Sequence, residues 1–314
     1  MKIMLLWLLT LPGLLWAILR LGGWDRGILV QLFAFTPYVA AWAWLPVVFA
    51  LAGRHWAAGA VALVAAVAMT ACVLPRALPG DKPAGGVALQ VMTSNLLLGG
   101  ADPAAVVRLV REHDIEVLAV QEFTPEAQAG LRAAGLAELL PYSSLAAEGG
   151  STGSGLYSRY PIAAAGAHRN GGGFMQAYGT IQPPGSDPLL VESAHPAAPY
   201  AVSALPDWRE DLLKQPHADP DGPARILLGD FNATLDHAEL RDLISYDYRD
   251  AAAAVGKGLV PTWGLYHPPR RLPPVTIDHV LVDTRIGVRD VQVHRIPETD
   301  HRAVLAWLTL PAAK

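Results

Sequence analysis

The residues of this chain that could do chemistry are carboxylates, amides and imidazoles in six short motifs. These are Ser94-Asn95, Gln121-Glu122, Ser193-Ala194-His195-Pro196, Gly229-Asp230-Phe231-Asn232, Ile277-Asp278-His279 and Thr299-Asp300-His301. Carboxylate and amide oxygens are the ligands that Mg²⁺ prefers. A positioned Asp can hold an attacking water, and imidazoles can stabilise charge on phosphate oxygens. The pattern indicates metal-dependent hydrolysis of a phosphate ester or anhydride.

Each motif has an ordinary structural explanation when it is taken alone. Glu122 could be a strand-end acid satisfied by backbone donors, and Asp230 with Asn232 could form a simple Asx turn. Mg²⁺ keeps several waters and needs few protein ligands, so Glu122 and Asn95 are sufficient as its candidate ligands. The catalytic interpretation depends on all the motifs occurring together.

Strands are predicted to position these groups at their ends. We expect strands over 87–93, 115–120, 155–158, 176–181, 189–193, 225–228, 276–282, 288–294 and 303–309. Asp102-Pro103 and Thr124-Pro125 are helix starts, a helix is predicted over 206–214, and Asp236 is the expected cap of a helix reaching Ile244. Polar residues that follow buried strands are typical of α/β active sites.

Together with Pro261-Thr262-Trp263, these motifs occur in the order of the endonuclease/exonuclease/phosphatase superfamily, which the chain resembles over about residues 87–311. The resemblance implies an α/β fold, a four-layer sandwich of two packed mixed β-sheets flanked by helices. It also implies Mg²⁺ as cofactor, with Mn²⁺ as an alternative. By resemblance, the metal residues are Glu122 as principal ligand, Asn95 as a nearby ligand, and Asp300 as a carboxylate acting near the metal.

The same resemblance assigns five catalytic residues. Asp230 orients or deprotonates the attacking water, and Asn232 binds a phosphate oxygen. His195 and His301 stabilise the transition state, and Asp278 orients His301 and keeps it protonated. We expect the remaining histidines to be core, surface or loop residues; His279, beside Asp278, could alternatively approach the site. Thr262-Trp263 is either a loop beside the site or an aromatic anchor. Gly171–Met175 is expected to be a mobile hairpin loop, with apolar contact to the bilayer or a lipid tail as the alternative.

The chain divides into an apolar, basic part and an acidic part. Of its 314 residues 52% are hydrophobic, and the mean hydropathy is +0.28. Residues 1–82 carry six basic and two acidic groups, which leaves 18 basic and 26 acidic groups for residues 83–314. An acidic domain is a poor partner for nucleic acid, although a local basic groove is an alternative. Arg270-Arg271 is the one adjacent basic pair after residue 83.

Three apolar segments, about 3–19, 28–52 and 56–74, predict a three-helix transmembrane region over 1–75, because about 20 apolar residues cross a bilayer. A linker over 76–86 and a catalytic domain over 87–314 follow. Residues 1–21 could instead be a cleaved signal peptide. However, the basic start is only Lys2 with the terminal amine, and no A-x-A site follows, which favours a retained helix.

Two signals disagree about the side of the membrane. Three spans put the catalytic domain and the N-terminus on opposite sides of the membrane. The basic residues on the domain's side slightly outnumber those on the other side. Because basic residues are enriched on the cytoplasmic side, this count indicates a cytoplasmic domain. The chain also resembles a membrane-anchored actinobacterial subgroup of the superfamily that includes a teicoplanin-resistance protein. This resemblance implies an extracytoplasmic domain and action on undecaprenyl pyrophosphate, and we follow it.

The sequence therefore predicts a multi-pass cell-membrane phosphohydrolase whose substrate is a lipid phosphate. One alternative is a membrane-bound endonuclease or phosphodiesterase that uses the same residues. A second alternative is an inactive membrane scaffold, which the intact set of motif residues opposes. The sequence leaves the oligomeric state open.

Overall fold

The computed structural model describes residues 2–80, 85–264 and 272–313. The Arg270-Arg271 pair and part of the predicted 76–86 linker lie outside the described residues. The N-terminal part is helical. Its helices are α1 (Lys2–Leu21), α2 (Leu29–Phe33), α3 (Thr36–Trp42), α4 (Trp44–Ala52) and α5 (Trp56–Val73), followed by a 3-10 turn at Leu74–Ala77.

Two of these helical stretches, Ile3–Leu21 and Trp56–Ala77, are long and apolar enough to cross a membrane. The predicted helix over 28–52 is instead three short helices, of which α3 and α4 form a shorter apolar stretch over Thr36–Ala52. Pro37 lies in the first turn of α3, where a missing backbone N–H costs nothing and a new helix readily begins. A third membrane span therefore stays a prediction.

Apolar side chains of α1 and α5 point outward as well as inward. Leu8, Leu15, Val64 and Val67 are all more than half exposed, while Ala17 and Met69 pack between the helices. Helices that are apolar on all sides suit a hydrocarbon environment better than water.

The rest of the chain folds as two mixed six-stranded sheets. The strands are β1 (Val87–Asn95), β2 (Val117–Gln121), β3 (Tyr142–Ala146), β4 (Ser154–Ser158), β5 (Ala163–Arg169), β6 (Met175–Ile181), β7 (Leu189–Ala194), β8 (Ala224–Asp230), β9 (Tyr248–Asp250), β10 (Asp278–Asp283), β11 (Gly287–Arg295) and β12 (Arg302–Leu310). The first sheet has the order β11-β12-β1-β2-β4-β3 and the second has the order β5-β6-β7-β8-β10-β9.

Alternation along β2 explains why the sheets bury both faces. Val117 and Ala119 belong to the core between the sheets, whereas Leu118 and Val120 belong to the cluster beneath the outer helices. Successive side chains of a strand point to opposite faces, so a continuously apolar strand must be covered on both.

Helices cover the outer face of each sheet, which confirms the predicted sandwich. Those on the first sheet are α6 (Pro103–Glu112), α7 (Pro125–Ala133) and α8 (Leu136–Leu139). The helices α9 (Leu205–Leu213) and α10 (Ala238–Ser245) cover the second sheet, and α11 (Ala251–Ala254) lies near its edge. As predicted, Asp102 caps α6 by accepting from Ala104 N at 2.9 Å, and Thr124 caps α7 by accepting from Ala127 N at 3.1 Å.

The sequence did not predict strands β3, β5 and β9. Each lies at the edge of its sheet, and β3 and β5 are largely exposed or only partly buried. Edge strands bury little surface, so they lack the continuous apolar pattern by which the central strands were recognised.

The predicted capping role of Asp236 is wrong. Helix α10 begins after His237. Its first backbone N–H group, Ala238 N, donates to Asp25 Oδ2 at 2.6 Å. Asp236 instead accepts from two arginines of the membrane part. Arg20 Nε lies 3.1 Å from Oδ1, and Arg76 Nη2 lies 2.6 Å from Oδ2, with all three side chains buried. The N-terminal helical part is thus ion-paired to the two-sheet domain.

The described start of the predicted linker is also docked on the catalytic domain. Pro79 forms a bridge with Val255, and Gly80 N donates to Ala254 O at 2.9 Å. Residues 76–80 therefore extend the contact between α5 and the catalytic domain, and strand β1 begins at Val87.

Candidate active site

The first part of the site lies at the ends of two parallel strands. Asn95 ends β1 and Glu122 directly follows β2, and the register of this pair places Asn95 opposite Gln121. Asn95 Nδ2 donates to Glu122 Oε1 at 3.1 Å, and Leu98 N donates to Glu122 Oε2 at 2.6 Å. Glu122 has a φ of 54°, a left-handed conformation that is strained for a residue with a side chain. The strand end is bent to present this carboxylate.

The second sheet supplies two further carboxylates. Asp230 ends β8 and Asp278 begins β10, and the antiparallel register pairs these two residues. Asn95 Nδ2 donates across the sheets to Asp230 Oδ2 at 3.0 Å. Asn232 N donates to Asp230 Oδ1 at 2.9 Å, so the Asx turn anticipated as the plain alternative is present and also forms part of the site.

His301 is held between the two carboxylates of the second sheet. Its Nδ1 lies 3.0 Å from both Asp278 oxygens, and its Nε2 lies 3.7 Å from Asp230 Oδ2. Burial acts to lower the pKa of His301, but Asp278 and Asp230 outweigh it and raise the pKa to about 9. The ring is therefore an imidazolium at neutral pH, which is the state that the resemblance implied.

His195 approaches the same carboxylate from the other side. Its Nε2 lies 3.9 Å from Asp230 Oδ2, and the Phe174 ring packs against it edge-on with centroids 4.7 Å apart. Burial, with a smaller effect from the charge of His301, lowers the pKa of His195 to about 3. The two site histidines therefore differ: His301 is cationic and His195 is neutral.

Asp300 and the loop before β10 complete the site. Trp263 Nε1 donates to Asp300 Oδ2 at 3.1 Å, and Asp300 Oδ1 lies 3.9 Å from His301 Nε2. Thr262 Oγ1 accepts from the backbone N–H of Asp278 at 3.0 Å, which fixes the start of β10. The Thr262-Trp263 pair thus lies beside the site and also anchors its loop.

The carboxylate and amide oxygens of the site fit a hard divalent cation. One side-chain atom each of Asp230, Asp278 and His301 lies within 4.8 Å of the others, but a protonated His301 offers no lone pair to a metal, so the oxygens are the candidate ligands. Burial raises the pKa of Asp230 to about 7, against the opposing effect of His301 and with a further contribution from the nearby charge of Asp278. Glu122 and the Asn95 amide add neighbouring oxygens, and such oxygen ligands suit Mg²⁺ or Mn²⁺.

All eight predicted site residues are therefore linked in one network. Every contact in this network is 3.9 Å or shorter. Asn95 contacts both Glu122 and Asp230. Asp230 also contacts Asn232, His195 and His301. His301 in turn contacts Asp278 and Asp300. The arrangement combines carboxylates that can bind a cation or accept a proton with a fixed cationic donor. Such groups are suited to the hydrolysis of a phosphate bond.

Sequence reasoning missed Asp211, a fully buried acid on α9. Its Oδ1 accepts from Gly172 N at 3.0 Å and its Oδ2 from Ala197 N at 2.9 Å. It therefore ties the loop before Phe174 to the segment after His195. The signal was an acid on a helix face that is otherwise apolar, next to Leu212.

The expectation of a mobile loop at Gly171–Met175 does not fit these contacts. Phe174 N donates to Asn170 Oδ1 at 2.8 Å, and Asn170 Nδ2 donates to His195 O at 2.9 Å. The loop is part of the wall of the site.

Two further polar residues support the site from the interior. Gln121 Nε2 donates to Ser193 Oγ at 2.9 Å across the two sheets, and Thr299 Oγ1 donates to Asn95 O at 3.1 Å. His279, by contrast, is engaged away from the site. Its Nδ1 lies 2.8 Å from Asp250 Oδ2 and its Nε2 lies 2.9 Å from Ala233 O, which is a structural role.

Solved structures share this fold. An endonuclease/exonuclease/phosphatase from Beutenbergia cavernae is 18% identical, with a TM-score of 0.57 over 71% of this chain and 72% of that one. Sphingomyelinase C from Streptomyces griseocarneus is 16% identical, with a TM-score of 0.51 over 70% of this chain and 99% of its own. TDP2 of D. rerio, complexed with a single-strand DNA product, is 12% identical, with a TM-score of 0.55 over 71% and 99%.

A search of curated protein sequences finds no match. The sequence model of one family, described as the Endonuclease/Exonuclease/phosphatase family, matches residues 92–301, which is more than half of the chain. The matched range begins within β1 and ends at His301, so it contains all eight residues of the network. This chain belongs to the Endonuclease/Exonuclease/phosphatase family.

Proposed function

We propose that this protein is a membrane-anchored, Mg²⁺-dependent phosphohydrolase that acts on a lipid phosphate. The substrate we favour is a polyprenyl pyrophosphate such as undecaprenyl pyrophosphate, cleaved by an extracytoplasmic catalytic domain. Such an activity would serve the recycling of the lipid carrier of cell-wall synthesis and could contribute to glycopeptide resistance.

The observation that carries the proposal is that the membrane part touches the loops that hold the catalytic residues. Gln31 Nε2 donates to Pro199 O at 2.8 Å, four residues after His195. Tyr38 OH donates to Pro274 O at 2.7 Å, four residues before Asp278. Four residues span at most about 14 Å, so the site lies close to the membrane helices.

A third site loop makes the same kind of contact. His237 Nε2 lies 2.7 Å from Val30 O, and Asp236, four residues after Asn232, receives the two membrane arginines. A soluble substrate needs no such placement. A lipid phosphate does, because its reacting group stays at the bilayer surface while its chains remain in the hydrocarbon.

Apolar side chains on the same loops support contact with the bilayer. Tyr200 and Val202 follow Pro199, Leu272 precedes Pro274, and each is more than half exposed. Exposed apolar groups beside a membrane anchor are suited to the interfacial layer of lipid headgroups.

In the proposed reaction, a water attacks phosphorus and the bond between phosphorus and the bridging oxygen breaks. The Asp230 carboxylate accepts a proton from the water, for which a pKa of about 7 is well matched. His301 donates from Nε2 to the oxygens on which charge develops, and Asp278 holds its ring in place. A bound Mg²⁺ would supply further positive charge to these oxygens. The products are a lipid monophosphate and inorganic phosphate.

For membrane orientation we follow the extracytoplasmic expectation of the resemblance. The opposing charge count rests on a margin of one or two positive residues.

Phosphate release from undecaprenyl pyrophosphate by the purified protein, in detergent with Mg²⁺, tests the proposal. We expect release by the wild type, loss in Glu122→Gln, and full activity in Glu126→Gln, an exposed acid four residues away. A plasmid-nicking assay and a phospholipid panel run in parallel separate lipid pyrophosphatase from nuclease and phosphodiesterase. Cleavage of DNA without cleavage of the lipid would contradict the proposal, as would equal release by Glu122→Gln.

A further inference from the structure

A cavity of about 190 Å³ lies where the membrane part meets the catalytic domain. Ala34 at the end of α2 and Pro37 and Ala41 of α3 line it from one side, and Thr234, Asp236 and Val275 line it from the catalytic domain. None of the eight catalytic and metal-site residues lines it. The cavity is therefore a different place from the site described above, although it adjoins the loops that carry Asn232 and Asp278.

Arg76 lines the same cavity and has unused hydrogen-bonding capacity. The residue is only 7% exposed, and its Nη2 donates to Asp236. Its buried Nε has no hydrogen-bond partner among the residues that the structure describes. A buried guanidinium N–H without a partner costs free energy, which a bound acceptor would recover.

The charges around Arg76 do not balance. Arg20 and Arg76 share the single carboxylate of Asp236, an excess of one positive charge. Arg241 donates to the backbone carbonyl of Asp236, and Asp25 accepts from Ala238 N, so neither changes this local balance by an ion pair. The nearby Glu239 is already engaged by Arg209 at 2.7 Å. Buried charge without a counterion is strongly disfavoured, so the junction is suited to an anion.

One titration effect agrees with an unbalanced positive charge. Burial lowers the pKa of Arg241, and the nearby charge of Arg20 lowers it further.

Pro37 and Ala41 of α3 form an apolar wall of the cavity. They belong to the apolar stretch Thr36–Ala52. A free inorganic anion gains nothing from such a wall. An amphiphile satisfies both sides of the cavity, because its phosphate meets Arg76 while the first carbons of its chains lie along Pro37 and Ala41.

We infer that this junction cavity binds the phosphate of an anionic membrane phospholipid. The bound lipid braces the loops of Thr234 and Val275, and through them the Asn232 turn and the start of β10. The inference does not depend on the proposed reaction, because it concerns binding at a place that contains none of the catalytic residues.

The test is lipid retention by the full chain, purified in a neutral detergent and followed by native mass spectrometry. The probes are phosphatidylglycerol and phosphatidylcholine. We expect the wild type to retain one phosphatidylglycerol about tenfold more tightly than phosphatidylcholine. Ala41→Phe, which fills the cavity without changing a charge, should remove this preference, and so should Arg76→Gln. Ala60→Phe, an exposed residue of α5 outside the cavity, is the matched control and should keep it.

Arg76→Gln disturbs the ion pair with Asp236 and for that reason could fail to fold. In that case Ala41→Phe decides the outcome. Equal lipid retention by the wild type and Ala41→Phe would overturn the inference. So would thermal stabilisation by inorganic phosphate equal to that by phosphatidylglycerol at the same concentration, because the hydrocarbon would then have no part in binding. Neither measurement uses catalytic activity, so failure here is distinct from failure of the proposed reaction.

Discussion

Arg76 Nη2 lies 2.6 Å from Asp236 Oδ2, so the 3-10 turn after α5 is ion-paired to the loop that follows Asn232. Arg20 Nε of α1 lies 3.1 Å from the other oxygen of the same carboxylate. Two buried guanidiniums thus share one buried acid. This contact couples the position of the N-terminal helices to the position of the loop after Asn232.

Replacing Asp236 by Asn should destabilise the junction. The change leaves two buried arginines without their counterion, which typically costs about 3–5 kcal/mol. Limited proteolysis in detergent and the thermal unfolding temperature measure the effect. Asp242→Asn, an exposed acid on the neighbouring α10, should behave as the wild type. An unchanged unfolding temperature in Asp236→Asn would contradict the importance of this contact.

Asp278→Asn should lower the activity by removing the group that fixes and charges His301. A well-placed acid–base group typically contributes on the order of 10²–10⁴ to the rate, so we expect a loss of at least about 100-fold in kcat. The pKa of His301 should also fall, because Asp278 is the largest of the effects that raise it. An NMR titration of His301 measures this pKa, and an unchanged value would show that Asp278 does not act through that ring.

Asp211→Asn should loosen the wall of the site without touching its metal residues. The carboxylate accepts two backbone N–H groups, from Gly172 and Ala197, and an amide cannot serve both in the same way. We expect kcat to fall by about tenfold or more while Mg²⁺ affinity is unchanged. Asp207→Asn, an exposed acid on the same helix, is the control. A parallel loss of Mg²⁺ affinity would mean that Asp211 has a wider structural role.

Mg²⁺ binding should depend on Glu122. Removing its negative charge in Glu122→Gln, with the side-chain length kept, should weaken Mg²⁺ binding by about tenfold or more, because charged oxygens dominate the affinity of hard cations. Calorimetry with Mg²⁺ measures the affinity directly, and chelation should abolish turnover in the wild type. Equal Mg²⁺ affinity in the two proteins would exclude Glu122 as a metal ligand.

The contact between His168 and Glu192 should make a small, pH-dependent contribution to stability. The hydrogen bond to Glu192, 2.8 Å from His168 Nε2, raises the pKa of the imidazole in the folded protein. The stabilisation is therefore fully present below the unfolded pKa of about 6.5 and is lost as the pH rises through the folded pKa. The ring is half exposed, so we expect less than about 1 kcal/mol.

Unfolding free energies of His168→Gln and the wild type at pH 5.5 and pH 9 check the sign. The difference between the two proteins should be larger at pH 5.5. A larger difference at pH 9 would contradict the assigned direction of the pKa.

The sequence alone determined the central strands and the helix starts at Asp102 and Thr124. These features follow from local rules, since buried strands have continuous apolar patterns and caps use specific side chains. The eight site residues and the four-layer sandwich came from the resemblance to a family. The structure confirms the two packed sheets with flanking helices, and it brings the eight residues into one network through contacts such as that between Asn95 and Asp230.

Only the tertiary structure decided how the N-terminal helices and the two-sheet domain fit together. Asp236 has the sequence signature of a helix cap, but its position beside Arg20 and Arg76 makes it an ion-pair partner. The roles of Asp211 and of the loop before Phe174 likewise depend on contacts between segments distant in sequence. Such contacts leave no periodic pattern along the chain, because they are fixed by the packing of whole elements and not by the neighbours of each residue.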